Sequence, residues 1–327
     1  MVRRHLLALR DLDRRTIEGV LDAAQQFADG GSAPSLRGAV VATLFYEPST
    51  RTEMSFILAA RRLGAGVLPC DVEHSSVRKG ESFVETVRTF EALGADALII
   101  RHPCGGAPSL AARHVACAVI NAGDGMHEHP TQGLLDLLTV RQVKGHISGL
   151  KVAIVADVRH SRVARSAAWG FTKLGASVVL AGPATLLPAD FPVPGVRLTT
   201  SLQEAVKVAD VVMALRVQLE RQSGGCIPSL AEYTRTFGIT EEILARARPD
   251  CIVMHPGPVT TGVEISAEAA DGPRSVVRRQ VENGVVVRMA VLEWALGEGI
   301  QTEHDVRREA MDRVARDRVQ PEAVEVH

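Results

Sequence analysis

Residues 38–63 read GAVVATLFYEPSTRTEMSFILAARRL, and this stretch decides the class of fold. Its first part, residues 38–46, is a continuous apolar run with the length of a β-strand. From residue 52 to 63, apolar side chains recur on one side of a helix. A strand that is apolar on both faces is typical of a parallel sheet covered by helices. The stretch therefore predicts one strand and one helix of an α/β sheet.

The same alternation continues along the chain and restarts once. Up to residue 144, further strands are predicted at 66–69, 96–100 and 117–120, and helices near 81–93 and after Pro130. From residue 151, strands are predicted at 151–156, 176–181, 209–214 and 251–254, and helices at 162–173, 201–207 and 240–247. We therefore predict an α/β protein with two doubly wound parallel sheets, which interdomain helices join.

The chain length fits two domains, because 327 residues exceed the usual size of one. We expect a first domain at residues 1–144, completed by an amphipathic C-terminal helix at about 286–299. The second domain is expected at 145–285. The charged tail at 300–327 is expected to lie outside both domains.

Composition excludes several classes of function. Lys and Arg number 37 against 38 Asp and Glu, so no basic field attracts nucleic acid or anionic membrane. No apolar run approaches the about 20 residues of a membrane span, and charge interrupts the N-terminus too soon for a signal peptide. The five cysteines are dispersed and form no CxxC pair, which argues against disulfides and structural zinc. These features predict a cytoplasmic protein without nucleic-acid, membrane or metal partners.

Ser49-Thr50-Arg51-Thr52 comes between the first strand and its helix. Hydroxyls, backbone N–H groups and one guanidinium converge there on the positive end of the helix dipole, which suits phosphate. The alternative is an ordinary N-cap, with Arg51 as a surface charge. The local sequence leaves both interpretations open.

Four further polar segments follow predicted strands. They are Arg101-His102-Pro103, residues 121–132 (NAGDGMHEHPTQ), Leu215-Arg216-Val217-Gln218 and His255-Pro256-Gly257-Pro258. Open α/β sheets bind ligands beyond the carboxyl ends of their strands. Polar segments at so many strand ends are therefore hard to explain as solvated loops, and they predict ligand binding there.

These motifs resemble the catalytic chains of the aspartate carbamoyltransferase family, from about residue 5 to 299. The motifs that carry the resemblance are Glu47-Pro48-Ser49-Thr50-Arg51-Thr52, Lys79-Gly80-Glu81, Asn121-Ala122-Gly123-Asp124-Gly125, His129-Pro130-Thr131-Gln132 and Arg216-Val217-Gln218. The resemblance implies carbamoyl transfer from carbamoyl phosphate to L-aspartate in pyrimidine synthesis, without a metal or other cofactor. It also implies a carbamoyl-phosphate-binding first domain, an aspartate-binding second domain and a homotrimer. It leaves open whether regulatory or dihydroorotase chains bind.

By resemblance, the first domain binds carbamoyl phosphate and stabilises the charge that develops on it. The phosphate-binding residues are Ser49, Thr50, Arg51 and Thr52. The donors to the carbonyl oxygen are Thr52, Arg101 and His129, and Gln132 contacts the carbamoyl nitrogen. Arg51, Thr52, Arg101 and His129 are thus the expected catalytic residues, acting by position and charge.

The resemblance also supplies the acceptor side and the contacts between chains. Aspartate binding is expected from Arg162, Arg216 and Gln218, because paired guanidinium groups match two carboxylates. Backbone contacts to the site are expected from Gly257 and Pro258. Lys79 and Ser75 are expected to come from the adjacent chain, Lys79 also contacting aspartate. Ser76 is an alternative to Ser75.

Three competing hypotheses follow from the same residues. Thr260 and Thr261 replace a basic segment usual in the family, which favours a catalytically weakened subunit of a pyrimidine-pathway assembly. Ornithine carbamoyltransferases carry an acidic residue and a His-Cys-Leu-Pro segment, whereas this chain has His255-Pro256-Gly257-Pro258, so aspartate is preferred. A dinucleotide-binding dehydrogenase is rejected, because residues 157–161 lack the required glycine spacing.

Overall fold

The computed structural model describes residues 3–31, 35–70, 72, 80–155, 157–218, 221 and 225–297. Nine strands within these ranges form two sheets in which every pair of neighbours is parallel. The first sheet has the order β2-β1-β3-β4, with β1 Val40–Phe45, β2 Gly66–Cys70, β3 Ala97–His102 and β4 Ala118–Asp124. The second has the order β7-β6-β5-β8-β9, with β5 Lys151–Val155, β6 Ser177–Ala181, β7 Arg197–Thr199, β8 Val211–Ala214 and β9 Ile252–Met254. The predicted fold class is confirmed.

Eleven α-helices cover and connect these sheets within the described ranges. They are α1 Arg14–Ala28, α2 Thr50–Arg62, α3 Phe83–Ala92, α4 Ala107–Ala112, α5 Pro130–Lys144, α6 Arg162–Lys173, α7 Leu202–Val206, α8 Leu230–Phe237, α9 Glu241–Leu244, α10 Ala267–Asp271 and α11 Val277–Leu296. Helix α11 packs against α1, α2 and α5, and α5 also packs against α6. Helices α5, α6 and α11 therefore form the connection between the two halves of the fold. None of the helices in these ranges is long and apolar enough to cross a membrane.

The last helix is longer than its prediction. It begins at Val277 rather than near residue 286. The face of its first half that meets the protein includes Gln280 and Asn283, both nearly inaccessible to solvent. A pattern of apolar residues cannot detect a helix whose buried face is polar. The tail at 300–327 lies outside the described residues.

Strand β4 also extends beyond its predicted end at residue 120, because its polar residues are satisfied internally. The Asn121 Nδ2 donates to the Leu7 carbonyl oxygen and to Asp124 Oδ1, both at 2.8 Å. The Asp124 Oδ2 accepts from the Gly106 N–H at 2.6 Å. These bonds offset the cost of burying an amide and a carboxylate in a strand.

Candidate active site

A cleft of ≈ 840 Å³ separates the two sheets at the carboxyl ends of their strands. Its walls come mainly from the segments after β1, β4, β8 and β9 and from α2, α6 and α11. Twelve of the predicted site residues line it: Ser49, Thr50, Arg51, Thr52, Arg101, His129, Gln132, Arg162, Arg216, Gln218, Gly257 and Pro258. Ser75, Ser76 and Lys79 lie outside the described residues.

The N-terminus of α2 opens directly into this cleft. Ser49 is the N-cap residue, yet its side chain accepts no capping hydrogen bond. Ser49 and the first turn of the helix, with Thr50, Arg51 and Thr52, line the cleft. This arrangement fits an anion site better than an ordinary N-cap.

Arg51 lies against the loop that follows β9, so the two halves of the fold meet at its guanidinium. Gly257 in that loop has φ +70°, and its peptide bond to Pro258 is cis. A Cβ atom at Gly257 would lie 1.8 Å from the Arg51 Nη1. Only glycine leaves room for the guanidinium in its present position, and glycine also tolerates this backbone conformation.

Glu47 joins three arginines across the cleft. Its Oε2 lies 2.7 Å from the Arg162 Nη2 and 3.3 Å from the Arg101 Nε, and its Oε1 lies 2.9 Å from the Arg221 Nη2. Burial alone would raise the pKa of Glu47, but Arg162 and Arg101 outweigh burial and hold that pKa below its usual range. The carboxylate therefore remains charged and fixes the arginines in place.

Gly123 creates the space in which two of these arginines approach each other. It has φ +113°, and a Cβ atom there would lie 3.0 Å from the Arg162 Nε and 3.3 Å from the Arg101 Nη1. Burial, reinforced by Arg162, lowers the pKa of Arg101 to about 9, which leaves Arg101 charged at neutral pH. The glycine in the middle of the motif NAGDG thus leaves room for two guanidinium groups.

His129 is a buried, neutral imidazole at the start of α5. Burial and the positive charges of Arg101 and Arg162 lower its pKa well below the usual value. Its backbone N–H donates to the Ser166 Oγ at 2.8 Å, which anchors it to α6. A neutral imidazole is suited to donating a hydrogen bond to an oxygen that gains charge, rather than to acting as a strong acid.

Arg216 and Gln218 face the cleft from the segment after β8. The Arg216 Nη2 donates to the Gln218 Oε1 at 3.3 Å. The Gln218 backbone N–H lies 3.4 Å from Asp157 Oδ2, and Asp157 Oδ1 lies 2.8 Å from the His160 Nδ1. The buried Asp157 therefore ties the β8 segment to the segment after β5.

Sequence reasoning gave no role to three charged residues that line the cleft, namely Glu47, Arg221 and Arg288. Glu47 stood inside a quoted motif, and Arg221 lies three residues after Gln218. Arg288 interrupts the apolar face of α11. Its guanidinium is buried, stacks 5.1 Å from the centre of the Phe56 ring and donates to the Gly284 carbonyl oxygen at 2.8 Å. The sequence signals that could have indicated these residues were thus a neighbouring motif for two of them and a charge within an apolar helix face for the third.

The replaced segment at Thr260 and Thr261 does not reach the cleft. Both residues are exposed and absent from its lining. The Thr260 N–H instead donates to Glu264 Oε1 at 2.6 Å. This departure from the family pattern therefore leaves the described cleft wall intact.

The charge of the cleft defines what it can hold. Among the residues that the structure describes, six guanidinium groups line it against one carboxylate, that of Glu47; they belong to Arg51, Arg101, Arg162, Arg216, Arg221 and Arg288. Within the described part of the chain, no group of three or more His, Cys, Asp or Glu side chains is arranged to hold a metal. Two parallel-sheet domains around such a cleft define an α/β enzyme for small anionic substrates.

Comparison with known proteins identifies the family. Residues 4–142 match the "Aspartate/ornithine carbamoyltransferase, carbamoyl-P binding domain", and residues 148–295 match the "Asp/Orn binding domain" of the same family. The chain belongs to the aspartate/ornithine carbamoyltransferase family. It is therefore a carbamoyltransferase.

Several curated relatives at about 50% identity carry the same name. The aspartate carbamoyltransferase catalytic subunit of Pelotomaculum thermopropionicum is 53% identical over 304 residues, which cover 91% of this chain and 98% of the relative. The protein of the same name from a Roseiflexus species is 52% identical over 305 residues, covering 90% and 96%. These matches support the aspartate hypothesis over the weakened-subunit alternative.

Solved structures confirm the fold. An ornithine carbamoyltransferase from Pyrococcus furiosus has a TM-score of 0.82 at 30% identity, covering 91% of this chain and 98% of that one. An aspartate transcarbamoylase from Trypanosoma cruzi, in complex with N-(phosphonacetyl)-L-aspartic acid, has a TM-score of 0.81 at 30% identity, covering 90% and 96%. Both acceptor types therefore occur on this fold.

Proposed function

We propose that this chain transfers the carbamoyl group of carbamoyl phosphate to the amine of L-aspartate, giving N-carbamoyl-L-aspartate and phosphate, an early step of pyrimidine synthesis. The observation that carries the proposal is the charge of the cleft, where the described lining has six guanidinium groups and one carboxylate. Carbamoyl phosphate and aspartate together bring several negative charges to one place. A cleft with this excess of arginine lowers the cost of bringing them together.

The half of the cleft next to α2 binds carbamoyl phosphate. The N-terminal turn of α2, with Arg51, binds the phosphate, and Arg101 and His129 donate to the carbonyl oxygen. When the aspartate amine attacks the carbonyl carbon, a C–N bond forms and the bond from carbon to the bridging oxygen breaks. Phosphate leaves with that electron pair and accepts the proton that the amine loses. Arg51 stabilises the charge on the departing group.

The other half of the cleft selects the acceptor. Arg162, Arg216 and Gln218 bind the two aspartate carboxylates. The side chain of ornithine is cationic and needs a free carboxylate, but the carboxylate in the described lining, Glu47, is already paired with three arginines. A dianionic acceptor fits this electrostatic environment, and a cationic one is repelled.

The direct test is to incubate the purified chain with carbamoyl phosphate and either aspartate or ornithine. We expect phosphate release that depends on aspartate, with N-carbamoyl-L-aspartate identified by chromatography and mass spectrometry. Ornithine is the matched acceptor control and should give no citrulline above background. Citrulline formation, or no product from either acceptor, would contradict the proposal.

We also propose that the chain acts as a cytoplasmic homotrimer in which Lys79, and Ser75 or Ser76, complete the site of the adjacent chain. Support comes from the mouth of the cleft, where Met54, Leu58 and Val281 are apolar yet 50%, 41% and 52% exposed. Apolar side chains clustered at a substrate cleft favour cover by another protein surface. A neighbouring copy would cover them and supply cationic side chains at the same place.

Mixing two inactive variants tests this shared site. Arg51→Ala chains lack a phosphate-binding group, and Lys79→Ala chains lack the group that is donated. After dissociation and reassembly together, each mixed trimer would contain one site with both residues intact. We expect the mixture to regain activity that neither variant shows alone. A mixture that stays as inactive as its components would refute the shared site.

A further inference from the structure

Gln280 connects three elements of the cleft wall through a single amide. It lies near the start of α11, lines the cleft and is 2% exposed. Its Nε2 donates to Asp136 Oδ1 on α5 at 2.8 Å, and its Oε1 accepts from the His255 N–H at the end of β9 at 2.9 Å. A carboxylate can only accept and an ammonium can only donate, whereas an amide donates from its nitrogen and accepts at its oxygen, as these two bonds need.

The bond to Asp136 bears on the orientation of Gln132. Asp136 is fully buried, and its Oδ1 also accepts from the Gln132 Nε2 at 2.9 Å. With its nitrogen anchored on Asp136, the Gln132 amide can present its oxygen to substrate. A carbamoyl nitrogen carries two N–H donors and needs such an acceptor. Gln280 and Gln132 share one carboxylate oxygen, so the position of each amide depends on the other.

The bond to His255 fixes the loop that touches Arg51. The His255 Nδ1 accepts from the Gly257 N–H at 2.8 Å, and its Nε2 lies 3.1 Å from Glu264 Oε1. The loop is thus held at its first residue by Gln280 and within the turn by the imidazole. Gly257 in turn lies directly against the Arg51 guanidinium.

We propose that Gln280 is a positioning residue. Through Asp136 it orients the Gln132 amide so that its oxygen meets the carbamoyl nitrogen, and through His255 it holds the loop against Arg51. The proposal deepens the carbamoyl-phosphate site and rests on the proposed function. Helix α11 thereby helps the site to select a carbamoyl-type substrate, which has an NH2 group, over similar phosphate compounds that lack N–H groups.

Binding of two stable analogues tests this role without catalysis. Phosphonoacetamide keeps the NH2 group, whereas 2-oxopropylphosphonate replaces it with a methyl group. By calorimetry, the wild type should prefer the amide, and Gln280→Met should reduce that preference by about fivefold, the value of one neutral hydrogen bond. Gln280→Glu keeps the bond from His255 but loses the donor to Asp136, and it should reduce the preference similarly.

Asn283→Leu is the matched control. Asn283 is another buried amide on α11, bonded to Thr139 Oγ1 at 2.8 Å and to Gln142 Oε1 at 2.9 Å, but it does not line the cleft. This variant should lose stability without changing the preference for the amide. Equal weakening of both analogues by the Gln280 variants, an unchanged preference, or no preference in the wild type would overturn the proposal. If the preference behaves as expected while aspartate gives no product, the proposed function alone fails.

Discussion

At the scale of single residues, Arg51 lies where the two halves of the fold meet in the cleft. It belongs to the first turn of α2, where the helix dipole already favours an anion. It also contacts the Gly257 loop of the second sheet, which restricts where its guanidinium can lie. A guanidinium held in advance can stabilise the charge on a departing phosphate without reorganising during the reaction.

Arg51→Ala should therefore lower kcat by at least about 100-fold. Steady-state phosphate release measures this effect, and circular dichroism checks that the variant folds. Arg61→Ala is the control, because Arg61 is an exposed arginine of the same helix that does not line the cleft. The assigned role fails if Arg51→Ala turns over at the rate of Arg61→Ala.

Functional residues could be predicted from the sequence where they belong to a recognisable motif. They could not be predicted where only contacts in the folded protein identify them. The Ser-Thr-Arg-Thr run, His129 and Arg216 could be assigned because they follow strands and match a family pattern. Glu47 could not be given a role, because its partners Arg162 and Arg221 lie 115 and 174 positions away in the sequence. Long-range ion pairs leave no periodic signal.

At the scale of elements, α5 and α11 form a polar contact inside the protein. Gln132 and Gln280 both donate to Asp136 Oδ1 there, and Asp136 Oδ2 has no hydrogen-bond partner among the described residues. Burial raises the pKa of Asp136 to about 7. The contact therefore contains a carboxyl group that is partly protonated near neutral pH.

This raised pKa predicts how stability depends on pH. Below pH 4, Asp136 is protonated in both the folded and the unfolded chain. Between pH 4 and 7 the unfolded chain loses this proton first, so the contribution of Asp136 to stability decreases as the pH rises. Asp136→Asn removes this titration. As the pH rises from 5 to 8, the unfolding free energy of the variant minus that of the wild type should therefore increase by roughly 2–3 kcal/mol.

Urea unfolding of both proteins across this pH range measures the difference. Asp22→Asn is a suitable control, because Asp22 is an exposed carboxylate that pairs with Arg141 of the same helix α5. If the wild-type and Asp136→Asn free energies run parallel with pH, Asp136 does not titrate as described.

The same contact explains which elements were predicted well. Continuous apolar strands such as β1 and β8 were recognisable, because their residues are buried on both faces. The first half of α11 and the end of β4 were missed, because they bury amides and carboxylates whose partners are distant in sequence. Hydrophobic periodicity reports burial only where the buried side chains are apolar.

At the scale of the whole molecule, the two parallel sheets bring their carboxyl ends to one cleft. Restart of the strand–helix pattern after residue 144 was enough to predict two sheets. The fold does not determine the acceptor, since solved relatives of similar TM-score include both an ornithine and an aspartate enzyme. We propose that side chains determine the acceptor, above all the arginines of the second half.

We propose that one cleft holds the carbamoyl donor and the acceptor at the same time. The most direct test is calorimetric binding of N-(phosphonacetyl)-L-aspartic acid, a single molecule in which a phosphonacetyl group and aspartate are covalently joined. We predict one molecule per chain, bound at least about 100-fold more tightly than phosphonoacetamide, and weakened by either Arg51→Ala or Arg216→Ala. Affinity no greater than that of phosphonoacetamide, or insensitivity to Arg216→Ala, would contradict the claim.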